Sequence, residues 1–374
     1  VDALRAECAA PSNLTRRSPL SLSDFLRTIT PGRKDLRNLS EDEAFGAFDC
    51  ILSGAESEIT VASFFVALRA KGLTVDELKG FARCARSRAT LPCESMPGLV
   101  CICSPNDGTQ DSPPLDVAAG MIAAAAGARV LISSDRCVPP LRGLTAASVL
   151  EHLGASMTWD AAEAEDWVQT TRFAAIAVTG MLPAFLGLRR VREDITMRTP
   201  LSTVEKLICP ESAAVLIGAQ NGPVLGMAVE VMQGLGHTRA LAIQGIEGGV
   251  VPSLRKRTRG IELNGEFLVS LVVEPEDFGL AWDTDPELPL FSFAPPGRGP
   301  GDNPALVKAA GEIVNLVLSG ENGPARNASI LAAALTLKAA GRCMTLAEGI
   351  DSAIEALDSG AARETLERVR EQSA

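Results

Sequence analysis

Leu99-Val-Cys-Ile-Cys103, Val117-Ala-Ala-Gly-Met-Ile-Ala-Ala-Ala-Ala126 and Arg129-Val-Leu-Ile-Ser133 follow one another along the chain. The first and third are short apolar runs with no polar alternation, as expected of strands buried on both faces. The second is rich in alanine and long enough for a helix of about three turns. Strand, helix, strand in this order predicts a parallel crossover in an α/β sheet. The rhythm continues downstream. Thr145 to Leu153 reads as a helix stopped by Gly154, Ala174 to Val178 as a strand, and Met227 to Leu235 as a helix stopped by Gly236. Arg239 to Ile243 is a further strand, and Leu263 to Val273 is a hairpin turning at Asn264-Gly265. Asp283 to Pro304 is rich in Pro and Gly and reads as a loop, and the tail is helical over 305–318, 327–340 and 346–370. Cys101 and Cys103 on the first strand are assigned to core packing, one on each side of the sheet.

Upstream the texture differs. Ser40-Glu-Asp-Glu43 is a capping box, opening a helix that runs through Phe45, Phe48 and Ile51 to Gly54. Ile59 to Ala70 is a second helix, stopped at Gly72, and Thr74 caps a third that reaches about Arg88. These helices predict a small helical domain over 21–92, before an α/β domain over 93–374. Residues 1–20 carry Pro11, Arg16, Arg17 and Pro19 and read as a flexible arm.

The chain has 374 residues, with 35 Lys plus Arg against 46 Asp plus Glu, a net charge of -11. A uniformly basic nucleic-acid binder is excluded, although a local basic patch is not. No run reaches the roughly 18 apolar residues of a membrane helix. The sequence opens at Val1 without a basic-then-apolar leader, so no signal peptide is expected. Nine cysteines, an odd number, fit a reducing soluble compartment, cytoplasm or organelle matrix. Their spacing matches no zinc motif.

Leu39-Ser-Glu-Asp-Glu-Ala44, Gly54-Ala-Glu-Ser-Glu58 and Ala67-Leu-Arg-Ala-Lys-Gly-Leu-Thr74 resemble the N-terminal helical domain of the anthranilate phosphoribosyltransferases. Ala123-Ala-Ala-Ala-Gly127, Val149-Leu-Glu-His-Leu-Gly154, Leu182-Pro-Ala-Phe185, Val191-Arg-Glu193, Leu318-Ser-Gly-Glu321 and Asn327-Ala328 follow in the same order as in that family. The resemblance implies a helical domain joined to a large α/β domain, with a segment around 185–212 returning to the helices. It also implies a homodimer built through the helical domains.

The family displaces pyrophosphate from 5-phosphoribosyl pyrophosphate, a reaction that needs backbone N–H groups around the leaving group and carboxylates that hold Mg²⁺. Four motifs that resemble its site are rewritten here. The Gly-Thr-Gly-Gly-Asp-Gly cradle becomes Ser104-Pro-Asn-Asp-Gly-Thr109, leaving Asp107-Gly108 as a remnant; Pro105 has no N–H to give. Asn-Ile-Ser-Thr becomes Pro114-Leu-Asp-Val117, and Lys-His-Gly-Asn-Arg becomes Ile132-Ser-Ser-Asp-Arg136. The metal-holding Asp-Glu pair falls on Val250-Val251, with Glu247 three residues upstream as the remaining metal candidate. Arg192 matches the arginine that contacts the acceptor in the family. The alternative role for it is pairing with a carboxylate at the domain junction.

The densest basic run is Ser253-Leu-Arg-Lys-Arg-Thr-Arg-Gly260; Arg189, Arg190, Arg192 and Arg198 form a second group. Guanidinium groups without acidic metal ligands suit a phosphate backbone, and some degenerate relatives of this family bind nucleic acids. Glu193, Asp194 and Glu262 lie close enough in sequence to make both groups ordinary surface ion pairs instead. Gly245-x-x-Gly248-Gly249 follows a strand, but Pro252 and the basic run stand where a phosphate-binding helix would begin. The sequence therefore leads to a non-catalytic binding or scaffold protein that holds a phosphate-rich ligand, nucleic acid included. The ligand residues are Asp107, Gly108, Arg136, Arg192, Arg255, Lys256, Arg257 and Arg259. No cofactor is expected on that reading. The alternatives are an active pentosyltransferase with a changed donor or acceptor, which would use Mg²⁺, and a subunit of a larger assembly.

Overall fold

A computed structural model describes residues 20–30, 32, 34, 36–220, 222–289 and 298–373. The arm expected over residues 1–20 lies outside them but for Leu20, as does the middle of the Pro- and Gly-rich loop. Four helices open the described chain: α1 (Leu22–Ile29), α2 (Glu41–Leu52), α3 (Glu58–Lys71) and α4 (Val75–Arg88). The Ser40 hydroxyl accepts from the Glu43 N–H, and Thr74 caps α4 through Glu77 in the same way. Phe48, Phe64 and Phe81 meet edge-on or tilted at the centre of this layer. Gly80 is the point of closest approach. A Cβ there would stand 2.2 Å from the Glu41 carbonyl, so only glycine lets α4 lie this near α2.

The α/β domain then alternates as expected: β1 (Leu99–Cys103), α5 (Asp116–Ala125), β2 (Arg129–Ser134), α6 (Ala146–His152), α7 (Ala161–Thr171) and β3 (Phe173–Ala177). Four short helices, α8 (Val178–Met181), α9 (Ala184–Gly187), α10 (Arg189–Ile195) and α11 (Leu201–Val204), precede β4 (Ala214–Gly218). After α12 (Gly222–Gly234) come β5 (Arg239–Ile243), β6 (Thr258–Asn264) and β7 (Phe267–Val273). Four helices close the chain: α13 (Pro304–Leu318), α14 (Pro324–Ala339), α15 (Leu346–Asp358) and α16 (Ala361–Gln372). The seven strands lie in the order β3-β2-β1-β4-β5-β6-β7. The first five are parallel, and β6 and β7 add an antiparallel edge.

Each face of the sheet has its own core. Val100, Ile102, Val130 and Ile132 pack under α5, α6 and α13 to α16. Cys101, Cys103, Val215 and Ile217 pack against the helical layer, α7 and α12. This corrects the expectation for Cys101 and Cys103. Residues two apart on a strand share a face, and both thiols point toward the helical domain. A second correction concerns the tail. The helix expected over 346–370 is two helices, broken where Gly360 takes a φ of 82°. Strand β4 and helix α7 were not anticipated.

The segment between β3 and β4 runs back over the helical layer. Phe185 sets its ring edge-on to Phe48 at 6.4 Å, and Leu188, Val191, Leu201 and Leu207 join the same core as Phe64 and Phe81. Arg86 on α4 answers from the other side, donating to the Leu207 carbonyl at 2.9 Å and the Leu235 carbonyl at 3.1 Å.

Candidate functional site

In a parallel sheet, ligands collect at the carboxyl ends of the strands. Here that end is built from the β1–α5 loop (104–115), the β2–α6 loop (135–145) and the β5–β6 loop (244–257). The β1–α5 loop turns three successive backbone N–H groups, those of Gln110, Asp111 and Ser112, toward one point. The carboxylate of Glu247 occupies it. Glu247 accepts from Gln110 N at 2.7 Å, Asp111 N at 3.1 Å, Ser112 N at 2.9 Å and the Ser112 hydroxyl at 2.6 Å. Converging N–H groups of this kind form a nest for an anion, and the chain fills it from within. To reach it, Glu247 adopts φ 50° and ψ 23°, a left-handed conformation rare for a residue with a side chain. The cavity left at the mouth of β1 measures about 30 Å³, room for about two water molecules. Asp116 lines it, 4% exposed, and burial pushes its carboxyl above the ordinary range.

Asp107 and Gly108 are tied into the protein. The Asp107 carboxylate is fully buried and takes both prongs of Arg198, at 2.5 and 2.9 Å. Gly108 has a φ of 78°, and a Cβ there would stand 2.5 Å from both the Gly143 carbonyl carbon and the Leu144 oxygen. Its conformation serves close backbone approach, and it lines the small cavity at the mouth of β1. Arg136 is half exposed and pairs with Glu151. Arg192 is 3% exposed. It pairs with buried Glu205, donates to the Pro139 carbonyl at 2.8 Å and reaches the Ser202 hydroxyl at 3.3 Å. The carboxylate pairing read for Arg192 from the sequence is present, with Glu205 as the partner. Three of the five guanidinium N–H groups are engaged in these contacts.

The basic run behaves differently. Lys256, Arg257 and Arg259 line a cavity of about 660 Å³ together with Gln220, Gln244, Glu247 and Asp285. Asp285 is occupied by the Ser253 hydroxyl and the Leu254 N–H. Arg257 stands 3.4 Å from Glu274, whereas Arg255, Lys256 and Arg259 make no ion pair among the described residues. Arg136 and Arg192 line neither this cavity nor the small one. The single arginine cleft expected from the sequence is thus divided: Arg136 and Arg192 stand apart from the basic run, whereas Arg198 borders a cavity that adjoins it.

Magnesium on a leaving diphosphate needs free carboxylates. The family's acidic pair falls on Val250 and Val251, Glu247 is enclosed by N–H groups, and Asp107 is held by Arg198. Among the described residues no three His, Cys, Asp or Glu side chains gather in a metal-binding set. The residues present do not fit this ion. A cluster that sequence reasoning missed lies deeper, where Cys101 and Cys103 flank Cys209. Their hydrogen bonds hold the Cys209 thiol well below its usual range. Arg86 reaches Cys209 Sγ at 3.5 Å and contacts His237, whose Nδ1 lies 2.9 Å from the Ala213 carbonyl. These residues stand far apart in sequence, and no spacing signal links them.

Two family models match this arrangement. Residues 23–89 match the glycosyl transferase family helical bundle domain, and residues 114–363 match the glycosyl transferase family a/b domain. An anthranilate phosphoribosyltransferase of Symbiobacterium thermophilum is 30% identical over 350 residues, 93% of this chain and 96% of that protein. The Geotalea daltonii enzyme of the same name is 30% identical over 351 residues, 89% and 95% of the two chains. Among solved structures, anthranilate phosphoribosyltransferase (TrpD) from Thermus thermophilus superposes with a TM-score of 0.76 at 25% identity, covering 94% of this chain and 98% of its own. The yeast enzyme, solved in complex with PRPP and Mg, has the same fold at a TM-score of 0.75 and 16% identity, over 94% of this chain and 97% of that one. With both domains matched in order and the sheet, the helical layer and the returning segment in place, the chain belongs to the glycosyltransferase family 3 proteins, the family of the anthranilate phosphoribosyltransferases.

Proposed function

We propose that this protein is a non-catalytic member of its family that holds a phosphate-rich ligand in the groove of Lys256, Arg257 and Arg259. The observation that carries this reading is the seat of Glu247. Its carboxylate takes the N–H nest at Gln110 to Ser112 and leaves about 30 Å³ at the mouth of β1. A diphosphate donor would have to expel a charged side chain held by four hydrogen bonds, with no acidic pair to bring magnesium. The groove is the opposite kind of surface. It is about 660 Å³ in volume, and two of its three cations have no acidic partner among the described residues. No aromatic ring lines it, so recognition rests on phosphate and not on base stacking.

Assembly as a homodimer through the helical layer is part of the same proposal. Ile59 and Val66 lie two turns apart on α3 and are 80% and 41% exposed, an apolar pair left uncovered by the described residues.

Two measurements test the function. Anthranilate, 5-phosphoribosyl pyrophosphate and Mg²⁺ are expected to give no turnover, and the donor no saturable heat. A short single-stranded oligonucleotide is expected to bind, more weakly as salt rises, and to lose binding in the Lys256→Ala, Arg257→Ala, Arg259→Ala variant. Turnover at an ordinary enzymatic rate, or oligonucleotide binding that ignores both salt and the variant, would sink the reading.

A further inference from the structure

A second cavity, of about 230 Å³, shares the wall Gln220 and Gly248 with the basic groove. Its opposite side is the segment 198–206, with Arg69 from the end of α3 beside it. The free hydrogen-bonding capacity here belongs to donors. Lys206 Nζ donates to the Gly218 carbonyl at 2.7 Å and has two further protons to give. The Ser202 hydroxyl accepts from Arg192, so its own proton is available. Thr199 is 7% exposed, and its Oγ1 has no hydrogen-bond partner among the described residues. A buried hydroxyl left in that state is unusual in a folded protein and points to something that completes it. Arg69 makes no ion pair among the described residues. The lining's one carboxylate, Asp107, is neutralised by the two-pronged contact with Arg198.

We infer that this cavity is a binding site for the phosphate group of inorganic phosphate or a small phosphomonoester, held by Lys206, Thr199, Ser202 and Arg69. Four donors outnumber the two oxygens of a carboxylate and suit a tetrahedral oxyanion. The volume admits a phosphate with a short organic tail and excludes a polymer. Burial lowers the Lys206 ammonium to about 8, working against the raising influence of Asp107. Near pH 8 the ammonium is only partly charged, and a dianion bound beside it favours the charged form, so binding there takes up a fraction of a proton. The site does not depend on what the basic groove binds.

Isothermal titration at pH 8 with inorganic phosphate, glycerol phosphate and benzoate tests this, in two buffers of different ionisation enthalpy. The wild type is expected to bind one phosphate group saturably, with heats that differ between buffers because of the proton. Lys206→Met weakens binding about tenfold or more. Thr199→Val weakens it several-fold while leaving the ligand-free melting temperature equal or higher, since it removes an unpartnered hydroxyl. The groove variant at Lys256, Arg257 and Arg259 stays within twofold of wild type. Tighter binding of glycerol phosphate than of phosphate identifies the organic monoester as the ligand, and the reverse identifies the free ion. No saturable binding, a preference for benzoate, or binding lost in the groove variant but kept in Lys206→Met would each overturn the proposal. Should Lys206→Met fail to fold, Thr199→Val carries the test alone.

Discussion

Glu247 and Ser112 lie 135 residues apart in sequence, yet both the N–H and the hydroxyl of Ser112 donate to one oxygen of the Glu247 carboxylate, at 2.9 and 2.6 Å. With the N–H groups of Gln110 and Asp111 they close a ring that pins the β5–β6 loop to the β1–α5 loop. Glu247→Ala is expected to destabilise the protein by about 1–3 kcal/mol, measured by urea unfolding, because the nest loses a charged acceptor. Glu247→Gly removes the same carboxylate but suits the left-handed backbone. It is expected to be less destabilising than alanine by roughly 1 kcal/mol. Equal losses would mean that the φ of 50° carries no strain.

Arg192 and Glu205 form a pair with both side chains 4% exposed. Removing one partner strands the other charge. Arg192→Met is expected to cost about 3–5 kcal/mol, while Arg192→Met with Glu205→Met recovers most of it. The check is a double-mutant cycle in denaturant. Additive losses would argue that the pair does not act as a unit.

Asp302 supplies an acid-sensitive clasp. The forked contact with Arg142, at 2.7 and 2.8 Å, and the Gly299 N–H hold its carboxyl at about 2, against an ordinary 3.8. A depressed carboxylate stabilises the fold above its unfolded value and loses that contribution as pH falls through its folded one. The contribution, roughly 2 kcal/mol, should be intact above pH 4 and disappear between about pH 4 and 2. Asp302→Asn should lower stability at pH 6 and flatten the pH dependence in that window. An unchanged slope in thermal melts from pH 6 to 2 would refute it.

Ile59 and Val66 give the oligomer test. Glu at both positions is expected to turn a dimer into a monomer in light scattering with no change in the circular dichroism of the monomer. A wild type that is already monomeric at micromolar concentration would remove the dimer from the proposal.

Much of the architecture was legible because it is written in local signals. The capping boxes at Ser40 and Thr74 and the unbroken apolar runs at β1, β2 and β5 each announce an element without help from distant residues. Strand β4 escaped because Ala214 to Gly218 is an apolar run indistinguishable, on its own, from the packing segments around it. Gly360 divides the last helix by taking a left-handed φ, and glycine inside an alanine-rich periodic stretch does not reveal which conformation it will choose. At the site, Lys256, Arg257 and Arg259 share a cavity that Arg136 and Arg192, grouped with them from the sequence, do not line. Strand order decides which loops are neighbours, and order is a property of the whole sheet. The same is true of Glu247, whose partners lie 135 to 137 residues away in sequence, and of Lys206 and Thr199, which look unremarkable until the segment 198–206 is laid against the end of β4.

The returning segment between β3 and β4 has a consequence for how this chain can be divided. Phe185, Val191 and Leu201 complete the core that Phe48, Phe64 and Phe81 begin, so the helical layer is made of two stretches separated by three strands of the sheet. A break after Arg88 would release four helices with one wall of their core missing, and would leave Phe185 and Leu207 facing water on the other fragment. Neither piece could travel alone between proteins as a cassette. With one core shared between the two stretches, the two layers should melt in a single transition.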